Sequence, residues 1–102
     1  MNKKEEIIQI AKIIKEKFLI NKIILFGSYA YGNPNNNSDI DICIITNDEK
    51  RKLEIIREIR KFVIPFLKAP LDLLVYKVEE FKNRAEIKST IEYKIKNEGI
   101  LL

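Results

Sequence analysis

"LFGSYAYGNPNNNSDIDICIIT", residues 25 to 46, sets two aspartates at the start of an apolar, β-branched run. The segment 39 to 46 reads as a buried strand, in which Asp39 and Asp41 are two positions apart and so share a face at about 6.5–7 Å. At an effective dielectric of about 20, two unit charges at that distance repel by roughly 2–3 kcal/mol, and desolvation adds to it. "PLDLLVY" supplies a further strand at 71 to 76 with a third carboxylate, Asp72.

Taken singly, each aspartate has an ordinary explanation. Asp39 sits at a strand entrance, Asp41 would suit the solvent side of an edge strand, and Asp72 would suit pairing with a lysine. Together they form an expensive cluster unless a cation lies among them. The chain has no histidine and no arginine nearby in sequence. Three carboxylates from two strands make a hard, all-oxygen donor set with open positions, suited to Mg²⁺ bridged to a substrate's phosphates.

Upstream, "KIILF" at 22 to 26 is a short strand halted by Gly27, and "SYAYG" can form one helical turn before the turn-rich "NPNNNS". Gly27 removes a side chain where a phosphate must approach the backbone, and Ser28 adds a hydroxyl and amides facing outward. A Gly-Ser pair alone is usually just a turn. At a strand end, with Asp-x-Asp opening the next strand, it places a phosphate cradle beside a metal site.

Around this centre, residues 3 to 18 carry Ile7, Ala11, Ile14 and Phe18 at helical spacing. Asn47 or Asp48 offers an N-cap for a helix from about residue 49 into the sixties, with Ile55, Ile59 and Phe62 on its apolar side and Leu53, Ile56 and Val63 beside them. Pro65 ends or kinks it, and Pro70 turns the chain into the third strand. The remainder reads as one or two helices stopped by Gly99 as a C′ residue, with Phe81, Ile87, Ile91 and Ile95 as candidates for partner contact and core packing as the preferred reading. The expected fold class is α/β or α+β, a small mixed sheet with helices packed against it and both faces largely covered.

The chain has 102 residues, which predicts one domain over 1–102. With 46% hydrophobic and 33% charged residues it has a globular composition, and no apolar run approaches a membrane span or a signal sequence. A cytoplasmic location and no membrane partner are expected. Cys43, the one cysteine, lies in an apolar run and excludes a disulfide framework. The net charge of +4 comes from lysines interspersed with glutamates, so direct nucleic-acid binding is not expected.

The stretch "GSYAYGNPNNNSDID", a Gly-Ser pair, ten residues and Asp-x-Asp, resembles the signature of the DNA polymerase beta-like nucleotidyltransferases. The short chain, the strand "PLDLLVY" and the ending "IKNEGILL" are similar to their minimal (MNT) branch. The resemblance implies that Gly27 and Ser28 hold the β/γ-phosphates of ATP. It implies that Asp39 and Asp41 ligate two Mg²⁺ ions, and that Asp72 completes the second and accepts the proton of the attacking hydroxyl. MNT proteins resemble the antitoxin half of HEPN–MNT toxin–antitoxin pairs, so the implied activity is transfer of AMP from ATP to a tyrosine of a HEPN ribonuclease, which is thereby neutralised. The alternatives are an antitoxin that neutralises its partner by contact with weak catalysis, and a nucleotidyltransferase with a small-molecule acceptor. One departure stands out: where this loop commonly reads Gly-Ser-x-Ala-Arg-Gly, Tyr31 replaces the arginine, and a tyrosine supplies no charge.

Overall fold

The computed structural model describes residues 2–35 and 37–102. Helix α1 (Lys3–Lys17) leads into strand β1 (Lys22–Phe26), a single helical turn α2 (Ser28–Tyr31) and strand β2 (Ile40–Ile45). Helix α3 (Lys52–Val63) runs on into a 3-10 turn (Ile64–Phe66) and is followed by strand β3 (Leu71–Tyr76), helices α4 (Val78–Ala85) and α5 (Ile91–Glu98) and a two-residue strand β4 (Ile100–Leu101). The sheet order is β3-β2-β1-β4. β1 is antiparallel to both β2 and β4, while β2 and β3 are parallel, so the sheet is mixed.

Alternation along β2 divides the core in two. Ile40, Ile42 and Ile44 face Ile7, Ile10, Ala11 and Ile14 of α1 and Ile55, Ile59 and Val63 of α3. Cys43 and Ile45 face the other way, with Ile24, Phe26 and Tyr76, against Phe81 and Ala85 of α4 and Ile95 of α5. Asp41 and Asp72 fall by the same alternation on this second face, next to Tyr31 and Leu74. The α4–α5 pair is pinned to the sheet by a buried carboxylate: Tyr76 donates its hydroxyl proton to Glu92 at 2.7 Å, and Arg84 Nε approaches the other oxygen at 3.3 Å. Burial and this bond push the Tyr76 hydroxyl well above its ordinary pKa.

Three expectations need correction. α3 starts at Lys52 with Arg51 at its N-cap, and neither Asn47 nor Asp48 caps it. Those residues instead tie down the β2–α3 connection: Asp48 accepts from the Lys50 amide at 2.9 Å, Thr46 accepts from the Asp48 amide at 3.0 Å, and Lys77 donates to the carbonyls of Asp48 and Lys50. β2 begins at Ile40, so Asp39 stands just before the strand. Asp41 lies on an interior strand, which removes the solvent-edge explanation for its charge. Ile87 and Ile91 are exposed, and only Phe81 and Ile95 of that set are buried.

Gly99 ends α5, as expected, but with φ −67 rather than as a left-handed C′ residue. Its reason is space. A Cβ there would lie 2.4 Å from the Ile95 carbonyl oxygen and 2.5 Å from Ile24 Cγ2. Gly99→Ala is therefore expected to push β4 off β1 and cost about 1–3 kcal/mol, as overpacking does. Thermal denaturation should show a fall of at least about 5 °C for a chain of this size, and an unchanged midpoint would refute the close-packing argument.

Candidate active site

Three short segments meet at one end of the sheet. β1 ends at Phe26, whose register partner on β2 is Asp41. Asp41 in turn pairs with Asp72 across the parallel β2–β3 ladder. The strands thus set the two aspartates side by side, with Gly27 on the far side of Asp41. The return from β1 to β2 is closed by local turns: Asn33 and Gly32 adopt φ 62 and 109, Asn35 Oδ1 accepts from the Asn37 amide at 2.8 Å, and Ser38 Oγ accepts from the Asn35 amide at 2.9 Å. These short polar side chains substitute for ladder bonds and bring the chain back into β2.

The approach of Gly27 to Asp41 is the tightest feature of the site. A Cβ on Gly27 would stand 1.9 Å from Asp41 Oδ2 and 2.8 Å from its Cγ, and the glycine sits at φ 73, ψ −161. The carboxylate of Asp41 therefore occupies the space a side chain at 27 would fill. Beyond it, α2 turns on Gly27, whose carbonyl accepts from the amides of Ala30 at 3.0 Å and Tyr31 at 2.8 Å. Ser28 follows, half-buried at the start of that turn.

The electrostatics follow from the crowding. The Asp41 carboxyl is pushed up to about 6 from its ordinary 3.8, first by burial, then by the hydrogen bond its protonated form donates to Asp72 and by the charge of Asp72, then by the charge of Asp39. Asp72 itself is exposed at the rim of β3 and Asp39 is half-buried. Asp41 and Asp72 are thus brought into contact, whereas Asp39 reaches Asp41 through its field. Among the described residues, no three His, Cys, Asp or Glu side chains are gathered around one point that would hold an ion. The donor set still fits a divalent cation chemically: oxygen donors only, burial and neighbouring carboxylates that together hold a proton on Asp41 near pH 6, and open access at Asp72.

Cys43 lies on the same face, fully buried, and burial pushes its thiol up to about 12, so it offers no nucleophile. Tyr31 packs against the second core cluster with its hydroxyl buried and without a hydrogen-bond partner. Burial raises its pKa, only partly offset by the nearby Gly27 amide, which falls short of hydrogen-bond geometry. Lys94 of α5 lies over the Tyr31 ring, its Nζ 4.5 Å from the centroid. Nothing in the sequence marks Lys94, which sits in a helix where lysines recur along solvated faces.

Comparison with known proteins agrees with this architecture. A family profile described as a nucleotidyltransferase domain matches residues 7–101. Among curated proteins, two from Methanocaldococcus jannaschii, each named "Putative protein adenylyltransferase", are 47% identical over 47 residues and 36% identical over 63 residues. Those matches cover 44% and 62% of this chain, and 47% and 63% of the relatives, so the chain spans only about half to somewhat over half of their length. Among solved structures, a "putative nucleotidyltransferase" from Sulfolobus solfataricus superposes with a TM-score of 0.51 at 21% identity, over 96% of this chain and 73% of that one. That likeness is one of fold.

Proposed function

Since the chain belongs to the nucleotidyltransferase domain family, we propose that it is a Mg²⁺-dependent protein adenylyltransferase antitoxin, moving AMP from ATP to a tyrosine of a HEPN ribonuclease toxin. The observation that carries this reading is Asp41 wedged between Gly27 and Asp72. The name borne by the M. jannaschii relatives supports a protein as the acceptor.

In this reading Asp39, Asp41 and Asp72 hold the metal. Two bound Mg²⁺ ions would stabilise the charge that develops at the α-phosphate and on departing pyrophosphate. The protein's own groups do the rest. Gly27 and Ser28 hold the β/γ-phosphates, Gly27 by its backbone and Ser28 by its hydroxyl. Asp72, exposed and free to meet an incoming side chain, accepts the proton as the acceptor oxygen bonds to the α-phosphorus and the α–β bridging bond breaks. A tyrosine carrying AMP has lost its hydroxyl donor and gained a phosphodiester charge and bulk, which blocks a ribonuclease centre sterically and electrostatically.

Incubation with ATP, Mg²⁺ and the product of the adjacent gene, followed by intact-mass spectrometry, tests the reading. A gain of one AMP on the partner that disappears with Asp39→Ala is expected. The rival reading, neutralisation by contact, draws on Tyr31, a neutral side chain where the resembling loops carry an arginine. It predicts no adduct and toxin silencing that survives Asp39→Ala. Within the enzyme reading, Ser28→Ala removes a hydrogen bond to a charged group, worth about 1.5–3 kcal/mol. Steady-state kinetics should then show KM for ATP rising about tenfold or more, and an unchanged KM would remove Ser28 from the phosphate site.

A further inference from the structure

The groups assigned so far to the nucleotide are neutral or anionic, although a triphosphate brings several negative charges to them. A positive group stands at the end of the same turn. Tyr31 closes α2, three residues after Ser28 and therefore on its side of the turn, and its amide is bonded to the Gly27 carbonyl at 2.8 Å. Its hydroxyl end is buried where the charges of Asp41 and Glu98 reach it. Its ring face holds the Lys94 ammonium at 4.5 Å.

The alternative partner for Lys94 is Glu98, one turn further along α5. Among the described residues the ion pairs are Lys3–Glu6, Lys50–Glu58, Lys52–Glu80 and Arg84–Glu92, and Lys94 is in none of them. The order lysine then glutamate at i, i+4 is the weaker one, worth at most a few tenths of a kcal/mol, whereas an exposed cation–π contact is worth about 0.5–1 kcal/mol. The ring therefore keeps the ammonium at the turn and unpaired with carboxylate.

We propose that Lys94 binds the β/γ-phosphate end of the nucleoside triphosphate, with Tyr31 as the positioning residue that holds it there; this rests on the nucleotidyltransferase reading of the site. The charge absent from the Gly27–Gly32 loop is then supplied from α5. α5 is fixed for that purpose by the buried Glu92, through Tyr76 and Arg84.

Isothermal titration in Mg²⁺ with a non-hydrolysable ATP analogue and with AMP tests this without turnover. Lys94→Ala should weaken the analogue about tenfold, the effect of one charge-assisted contact, while AMP affinity stays within about twofold and Lys94→Arg restores most of the loss. Lys12→Ala, which removes the same charge from the opposite face, should change neither. Tyr31→Leu should weaken the analogue like Lys94→Ala, and the double variant should lose no more, because the tyrosine acts through the lysine. If Tyr31→Leu proves unfolded by circular dichroism, the Lys94 variants decide alone. Equal losses for AMP and the analogue, no loss for Lys94→Ala, or the same loss for Lys12→Ala would overturn the assignment of Lys94 and leave the site reading standing. A wild-type protein that binds neither nucleotide would overturn both.

Discussion

Asp41→Asn is expected to abolish transfer of AMP and, at the same time, to raise the melting temperature of the metal-free protein at pH 7. The two effects have one source. Asp41 is held against Gly27 on one side and Asp72 on the other, and its carboxyl titrates at about 6 instead of 3.8 because burial, Asp72 and Asp39 all disfavour its charge. The folded state therefore holds this proton more tightly than the unfolded chain. Stability falls as pH rises from about 4 to about 6, and the full penalty is present above that.

At about 1.4 kcal/mol per pH unit the penalty is at most about 3 kcal/mol, and partial exposure screens it to about 1–2 kcal/mol. Asparagine keeps the shape and removes the charge, so denaturation in EDTA should show a midpoint roughly 5–10 °C higher at pH 7, with no gain at pH 3.5. Mg²⁺ should stabilise the wild type and leave the variant unmoved. In the enzyme reading the lost ligand is worth several kcal/mol of transition-state stabilisation, about 10³-fold in rate. A variant that melts below the wild type at pH 7 would refute the strained cluster, and transfer within tenfold of wild type would remove Asp41 from the chemistry.

That cluster was readable in the sequence only in part. The two strands β1 and β3 fall at the residues their apolar runs mark, because a short apolar run bounded by Gly or Pro leaves little choice. What a one-dimensional pattern cannot contain is register. Asp41 meets Asp72 because β2 and β3 are parallel and aligned residue for residue, a tertiary fact that spacing alone leaves open. β4 was missed for a similar reason: Ile100 and Leu101 are too few to show a period, and they become a strand only because Gly99 lets them reach β1.

The helix boundaries erred where polar side chains had better partners. Asp48 is a good N-cap in isolation, but its carboxylate is already bonded to the Lys50 amide in a turn that Lys77 clamps from α4's leading edge. Phe62 fits the apolar stripe of α3 and is nonetheless 46% exposed, packed edge-on against Phe18 at the rim rather than under the sheet. Lys94 gave no signal at all, since its place over Tyr31 depends on how α5 folds back onto the second face.

Gly27→Ala should then be the most damaging single methyl in the chain, for a reason the sequence did not indicate. The bare backbone at 27 was expected to make room for a phosphate; the structure fills that room with Asp41 itself, Oδ2 lying 1.9 Å from where the Cβ would be. Two costs add. The backbone sits at φ 73, ψ −161, a region almost reserved for glycine and worth about 1–3 kcal/mol of strain for any other residue. The clash must also be relieved, either by turning the Asp41 carboxylate away from Asp72 or by moving α2, and either movement disturbs the placing of the Gly27–Ser28 turn against the carboxylates. A loss of about 2–4 kcal/mol in stability is expected from the two together, with transfer reduced at least about 10²-fold because misplacement of about an ångström is enough to do so. Repeating the substitution in an Asp41→Ala background separates the costs. Removing Cγ and both oxygens leaves only the Asp41 Cβ at 3.1 Å, so the backbone strain persists while the clash vanishes, and a double-mutant cycle should return a coupling of about 1–2 kcal/mol. Strict additivity would mean that Gly27 is needed for its backbone conformation alone, and that Asp41 does not occupy the space beside it.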